Sequence, residues 1–430
     1  MNHLSNLEIF KKGDRFLAIN PTSGKWNICS SYELKESICR LKKFSIISSS
    51  HQKERLICVF HLTNKCNLEC KYCYADIGTK GKNILSNDAI MKILDILASS
   101  LYESVLIEFH GGEPLLCWEE IKDIILKYHN KRNFYFGIQT NGTLLTPKII
   151  DFIKMYSIGI GISIDGPQEI HDRNRCYPNG KGSFSGVMRG ISLLKQNKIP
   201  FTTISVVERS NECSEIFDFF VNNQIERIKL NPLYFKGMLN EKNISSYCLG
   251  KYQEEFATEH LKIARKIIEY NKTSSVKQIC ANITIMVRNL IGNNGYMCLK
   301  SPCGAGNSII MFDENGNIYP CEEMYGRKDF IITNINNINN GKDLEEALRY
   351  SPIILKIKER KVENIPKCRD CIWQRFCGGG CTSYSLNIFN SLKREDVMCQ
   401  YNQIMFEGLM WILGENKDNV ILLTKPEAFK

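Results

Sequence analysis

The chain has 430 residues, 43% hydrophobic and 24% charged, with a formal charge of +10 and 19 cysteines. That length exceeds one ordinary core and implies two or three domains, and no apolar run approaches the roughly 20 residues that a bilayer-crossing helix needs. The lysines are spread along the chain rather than gathered into a basic run broken by aromatics, so the positive balance reads as a solvated surface, and neither nucleic acid nor a membrane is an expected partner.

Met1–Lys12 has no apolar signal-like core, so a cytoplasmic location is expected, where thiols stay reduced. Clustered cysteines in such a chain point to metal rather than to disulfides. Eight of the nineteen, Cys29, Cys39, Cys58, Cys117, Cys176, Cys213, Cys248 and Cys280, are scattered, and core packing is their expected role.

Phe16–Ile19 and Lys25–Cys29 read as two short strands about the turn Pro21–Gly24, and Ser30 or Ser31 caps a helix from about Tyr32 to Leu41. Two strands and a helix bury little by themselves, so residues 1–50 are expected as a small module packed on the main domain. From 51 to 235 the pattern alternates steadily. Strands are expected at Leu56–Leu62, Val105–His110, Phe134–Gln139, Gly159–Ile164, Phe201–Val206 and Arg227–Leu230. Helices are expected between them at Ala89–Leu101, Glu119–His129, Pro147–Tyr156, Ser185–Lys195 and Glu215–Val221. Strands separated by helices imply a parallel sheet with helices outside, and six units suit a partial, open barrel.

Functional residues of parallel α/β folds cluster at the C-terminal ends of strands. Polar motifs follow the first four strands here: Cys66-x3-Cys70-x2-Cys73 with Tyr72 before its last cysteine, His110-Gly-Gly-Glu-Pro114, Gln139-Thr-Asn-Gly142 and Ser163-Ile-Asp-Gly166. Three thiolates on one tight loop can hold three corners of a metal cluster and leave the fourth open to a substrate. A zinc knuckle, or three unrelated core cysteines, is the blander alternative. Residues 236–297 carry two helical stretches, Tyr252–Tyr270 and Ile283–Leu290, and read as a bridge. Residues 298–405 bring eight more cysteines. Cys368-x2-Cys371-x5-Cys377-x3-Cys381 is preceded by Cys298, Cys303 and Cys321 and followed by Cys399. A hairpin over Ile309–Pro320, turning at Asn315-Gly316, carries Cys303 toward Cys321. With little other regular structure expected there, this segment depends on its metal to fold, and spacing alone leaves zinc and iron both open. Residues 406–430 read as a tail.

The cysteine run together with Gly111-Gly-Glu-Pro114 resembles the signature of the radical S-adenosylmethionine (SAM) enzymes, and the later cysteines resemble the SPASM extension of that family. The resemblance implies an α/β fold: a partial (β/α)6 TIM-like radical SAM barrel with a small N-terminal module and a Cys-rich C-terminal SPASM domain. It implies three [4Fe-4S] clusters. Cys66, Cys70 and Cys73 would hold the one whose fourth iron SAM chelates. Cys298, Cys303, Cys321 and Cys381 would hold a nearer auxiliary cluster, and Cys368, Cys371, Cys377 and Cys399 an outer one. Gly111, Gly112, Glu113 and Pro114 would bind the methionyl amine of SAM, the glycines letting backbone carbonyls approach an ammonium. Tyr72, Thr140 and Asn141 would lie near the cofactor, and Ser163 and Asp165 around its ribose and carboxylate. Arg175 would pair with that carboxylate, for which a guanidinium fork is suited, with a surface salt bridge as its alternative. Glu322 follows Cys321 where sulfatase activators carry an aspartate base, and it is the candidate base here. His110 also reaches the rim, but a lone histidine is more often structural and stays outside the catalytic set.

The implied chemistry is one-electron cleavage of SAM to a 5'-deoxyadenosyl radical that removes hydrogen from an unactivated C–H bond, which protein acids and bases cannot do. The expected function is maturation of a ribosomally made, Cys-rich precursor peptide by a thioether cross-link. Anaerobic sulfatase maturation, forming formylglycine, is the alternative within that class. A non-enzymatic Fe–S electron-transfer protein is the alternative of another class, and a protein of that kind would need no SAM site. A one-electron reductant such as a flavodoxin or ferredoxin is an expected partner. Several relatives carry an N-terminal module that takes a leader peptide as an added strand; residues 1–50 are shorter than that, so such a role and a plain structural extension both stay open.

Overall fold

A ten-stranded sheet organises the molecule, seen here in a computed structural model that describes residues 7–42, 55–73, 83–99, 102–131, 134–233, 251–292 and 296–424. Six consecutive parallel strands form its centre: β4 (Leu56–Thr63), β5 (Val105–Gly111), β6 (Phe134–Thr140), β7 (Gly159–Ser163), β8 (Phe201–Val207) and β9 (Arg227–Pro232). Each is followed by a helix, as the alternation predicts. Ser86 caps Asn87–Ala98 by accepting from the Ala89 N–H, and Thr146 caps Pro147–Met155 with Pro147 in the first turn. On β5 the pleat divides the residues cleanly. Val105, Ile107 and Phe109 are buried in the core shared with the outer helices, whereas Leu106, Glu108 and His110 are half-buried on the other face. Lys229 of β9 and His110 of β5 both act on the Glu108 carboxyl. Strands four apart in the order therefore face each other across the concave side, so the sheet is curled into an open barrel.

The two edges carry additions. β10 (Ile279–Cys280) pairs parallel with β9. On the opposite edge β11 (Ile309–Phe312) pairs parallel with β4, and β12 (Asn317–Tyr319) and β13 (Thr333–Asn334) continue antiparallel. The hairpin is the expected one, with Gly316 at φ +78°. Its first strand also extends the central sheet, with Phe60 stacked on Phe312 at 4.6 Å.

Several elements differ from the sequence expectation. The front sheet has three strands, β1 (Glu8–Lys12), β2 (Arg15–Asn20) and β3 (Lys25–Ser30), followed by the helix Leu34–Lys42. β1 is an edge strand with no buried residue, so it shows no hydrophobic alternation. The polar stretch Gln168–Asn174 is a short helix, invisible to periodicity because only Ile170 is apolar. The C-terminal region is more regular than expected, with helices at Gly341–Tyr350, Pro352–Glu359 and Thr382–Phe389. The helix Cys399–Glu415 runs through position 405 and packs on Lys251–Thr273, Tyr401 lying 5.5 Å from Phe256. The front module seats on this region rather than on the barrel: Arg15 donates to the Gly414 carbonyl, Trp26 Nε1 to the Leu290 carbonyl, and Phe10 stacks on Trp373. Cys248 and the expected helix end at Leu101 lie outside the described residues. Among the described residues, no helix is long and apolar enough to cross a membrane.

Candidate active site at the C-terminal rim of the sheet

The cysteine loop leaves β4 and the glycine loop leaves β5, and the two are bonded backbone to backbone. Gly112 N–H donates to the Thr63 carbonyl at 2.7 Å and Glu113 N–H to the Lys65 carbonyl at 2.9 Å. A Cβ on Gly112 would stand 2.0 Å from the Lys65 oxygen, and one on Gly111, at φ +114°, 2.6 Å from the Thr63 oxygen. The glycines thus serve a contact the sequence did not disclose: they let one loop lie against the other. Glu113 is fully buried. It accepts from Thr140 Oγ1 at 2.6 Å, Asn141 N–H at 2.8 Å and Leu115 N–H at 3.1 Å, capping the turn Pro114–Cys117. Burial pushes its carboxyl up and these donors oppose the rise. Asn141 Nδ2 reaches Asn67 Oδ1 at 2.8 Å and lies 4.0 Å from the Cys66 sulfur. The motifs after the first three strands are therefore one bonded unit.

Asp165 ties in the fourth. Its Oδ2 accepts from Arg175 Nε at 3.0 Å and from the Tyr72 hydroxyl, and its Oδ1 from Val206 N–H at 2.9 Å. The Arg175 guanidinium lies 5.3 Å from the centre of the Tyr72 ring. Arg175 and Asp165 are both buried, so this is no surface salt bridge. The helix end at Asn174 and Cys176 just beyond it also bind the cysteine loop, since their carbonyls accept from Lys71 and Glu69 N–H. Ser163 Oγ accepts from Gln139 Nε2 at 3.1 Å. Burial pushes the Cys66 thiol up to about 12 and the Cys70 thiol to about 11, with Arg175 opposing the second shift.

Sequence reasoning left His110 aside and passed over His61, Glu108 and Lys229. The parallel register sets His61 directly beside His110, and their rings stack at 5.3 Å. Both point Nε2 at Glu322 Oε1, at 3.5 and 3.2 Å. Among the described residues this is the only trio of His, Cys, Asp or Glu whose ligand atoms all lie within 4.8 Å of one another. The hydrogen bonding argues against a metal there. His110 Nδ1 accepts the Gly111 N–H at 2.8 Å, so the neutral ring carries its proton on Nε2, facing the carboxylate. A metal-bound histidine would instead donate from Nδ1. Burial pushes the Glu108 carboxyl up, with Glu322 adding to the rise and His110 and Lys229 opposing it. The available signal was a polar side chain at an inward position of an otherwise apolar strand.

The eight later cysteines fall into two groups. Burial raises Cys298 to about 11 and Cys321 well above the ordinary thiol range, and Cys303 adds to both shifts. Cys298 likewise raises Cys321 and Cys381. Cys368, Cys371, Cys377 and Cys399 line a single small cavity. Asn402 Nδ2 lies 3.7 Å from the Cys377 sulfur and Gln403 Nε2 lies 3.5 Å from that of Cys399. No three of the described cysteine sulfurs lie within 4.8 Å of one another. Four cysteines about one cavity are a donor set that fits a thiolate-held metal group.

Comparison with known proteins agrees with this geometry. The Radical SAM superfamily model matches residues 60–220, the stretch that carries all four rim motifs. The cysteine-type anaerobic sulfatase-maturating enzyme of Clostridium novyi (strain NT) is 25% identical over 358 residues, spanning 80% of this chain and 92% of that one. Native anSMEcpe with bound AdoMet and Cp18Cys peptide shares the fold with a TM-score of 0.70 at 20% identity, over 84% of this chain and 99% of the other. Streptococcus suis SuiB bound to precursor peptide SuiA does so with a TM-score of 0.57 at 15% identity, over 91% of this chain and 100% of the other. A three-cysteine loop bonded to a glycine loop, on the strands that the family model spans, makes this chain a member of the radical SAM superfamily, a family of enzymes that use a [4Fe-4S] cluster and SAM.

Proposed function

We propose that the enzyme is a peptide maturase in which Cys66, Cys70 and Cys73 hold the SAM-binding cluster. In this reading Cys298, Cys303, Cys321 and Cys381 hold the nearer auxiliary cluster of a SPASM domain, and Cys368, Cys371, Cys377 and Cys399 the outer one. Bound together, the first cluster and SAM supply a 5'-deoxyadenosyl radical able to remove hydrogen from an unactivated C–H bond. The chain's own part is to orient and to move a proton. Glu113, Thr140 and Asn141 keep the glycine loop and cysteine loop in register; Asp165, Arg175 and Tyr72 brace the cysteine loop from the other side.

The observation that carries the reading is the Glu322 carboxylate. It follows a cysteine of the nearer group and is bonded to His110, the residue before the glycine loop, so it lies between the two chemistries. A carboxylate held there by Nε2–H of His110 is oriented to take the proton of a substrate thiol. With Cys298 the nearer group would have four cysteine ligands from the chain, and Glu322 would be the group that takes the proton of a substrate thiol. The favoured product is a thioether within a ribosomally made peptide. The edge strand β1, paired only with β2 in its sheet, offers a backbone edge for a leader segment. Sulfatase maturation to formylglycine is the second reading, supported by the similarity to the Clostridium novyi enzyme.

The test is anaerobic incubation of reconstituted protein with SAM, a one-electron reductant such as a flavodoxin, and cysteine-containing candidate peptides. Production of 5'-deoxyadenosine with a peptide that loses two hydrogens and no longer alkylates at cysteine supports the thioether. A product that reacts with a hydrazine probe identifies the aldehyde of the second reading. Replacing Cys66, Cys70 and Cys73 with alanine is expected to abolish SAM cleavage while the auxiliary iron stays. Iron falling to zero in that variant contradicts the three-site assignment.

A further inference from the structure

Arg360 follows the helix Pro352–Glu359 and is 4% exposed. Its guanidinium donates to the Gly380 carbonyl at 3.3 Å, the Gly379 carbonyl at 3.0 Å, Ser385 Oγ at 2.9 Å and the Arg394 carbonyl at 3.0 Å. All four acceptors are neutral, and its Nε is buried without a partner. A buried cation bonded only to neutral groups is costly unless an anion stands near, and the buried Asp396 carboxylate is one on which Arg360 acts. Both side chains sit at the turn that joins the two cysteine groups. Gly378–Gly380 is the whole link between Cys377 of the outer group and Cys381 of the nearer one. All three glycines have positive φ, and a Cβ on Gly379 would lie 3.5 Å from Arg360 Nη1. The guanidinium therefore lies along the turn joining the two cysteine groups.

Asp396 holds the same turn from the other side. It is buried, its Oδ2 accepts the Cys381 N–H at 2.7 Å, and its Oδ1 accepts the Met398 N–H at 2.9 Å. A Cβ on Gly380 would stand 2.2 Å from its Cβ. The carboxylate thus takes the Cys381 N–H while the guanidinium takes the Gly379 and Gly380 carbonyls, so both charges are fixed on the one turn.

We propose that Arg360 and Asp396 are positioning residues that set the reduction potentials of the two auxiliary clusters, a fixed cation and a fixed anion held against the turn that links them. The proposal rests on the cluster assignment above. Four thiolates on each cluster would leave it net negative, a charge that both fixed side chains would act on. Reduction adds a further electron, so a buried cation nearby favours the reduced form and raises the potential, and a carboxylate lowers it.

The test is EPR-monitored redox titration of anaerobically reconstituted full-length protein, with iron counted per chain. Arg360→Gln is expected to shift the auxiliary midpoints to more negative potential with iron retained, and the SAM-binding cluster to stay put. Arg360→Lys keeps the charge but not the fork, so it is expected to hold its midpoints close to wild type. A purely structural arginine would lose iron in both variants and shift neither midpoint. Where Arg360→Gln sheds iron, Asp396→Asn carries the test and is expected to move the midpoints the opposite way, upward. Full iron with unmoved midpoints in Arg360→Gln and Asp396→Asn overturns the proposal alone. Wild-type protein holding iron for only one cluster overturns the cluster assignment, and this proposal with it.

Discussion

At the scale of the residue, the site is governed by what cannot be larger and by which atom carries a proton. Gly112 is the sharper case of the first. Gly112→Ala is expected to displace the Lys65 carbonyl and cut 5'-deoxyadenosine formation by about 100-fold, as misplacing a catalytic loop by about 1 Å does. Iron should fall by one cluster's share. Gly137→Ala is the control, because a Cβ there meets nothing closer than 3.8 Å; full activity loss in that variant would show that the β-sheet rather than the loop contact is at fault. Glu322 is the case of the second. Glu322→Gln should leave SAM cleavage without peptide intact and slow peptide modification by about 10²–10⁴-fold. His110→Gln retains an N–H donor at the same place and should lose less. Equal losses in the two variants would remove the orienting role of the imidazole.

At the scale of the element, the edge of β4 is the telling feature. Alternation placed the six central strands correctly, and the hairpin signal Asn315-Gly316 placed β11 and β12. Nothing local in either said that β11 would pair with β4, about 250 residues earlier in the chain. That pairing makes the cysteine-rich region part of the barrel's sheet. Phe312→Ala, which removes a fully buried ring stacked on Phe60, is expected to cost about 3–5 kcal/mol. Chemical denaturation should show one cooperative transition moving, not two. A chain ended at residue 297 would leave the β4 edge unpaired, and such edges aggregate. A monodisperse, folded truncation would contradict this.

At the scale of the whole molecule, buried neutral histidines tie stability to acid. Burial lowers both His171 and His260 to about 4. His171 is kept neutral by a directed chain: Asp165 N–H donates to its Nδ1, and its Nε2 faces Ser183 Oγ, which donates to the Arg175 carbonyl. The unfolded chain binds these protons near 6.5, so the contribution is complete above that pH and is lost as pH falls toward 4, by roughly 3 kcal/mol per histidine. Thermal midpoints should fall across that window. His260→Gln should fall less steeply; an unchanged slope would show that other groups govern the acid response.

What the sequence by itself determined is the chemistry of short spacings. Three thiols on a seven-step loop, a glycine pair before a glutamate, and strand–helix alternation are local facts, and each survives any arrangement of the rest. It determined the family by resemblance and the parallel sheet by alternation. Only the tertiary structure decided what touches what. Strand order and register brought His61 beside His110 and both to Glu322; loop packing revealed why Gly111 and Gly112 carry no side chain; the turn between Cys377 and Cys381 gave Arg360 and Asp396 their place. The physical reason is that hydrogen bonds and charge interactions act over a few ångströms in space, whereas these partners lie tens to hundreds of residues apart along the chain.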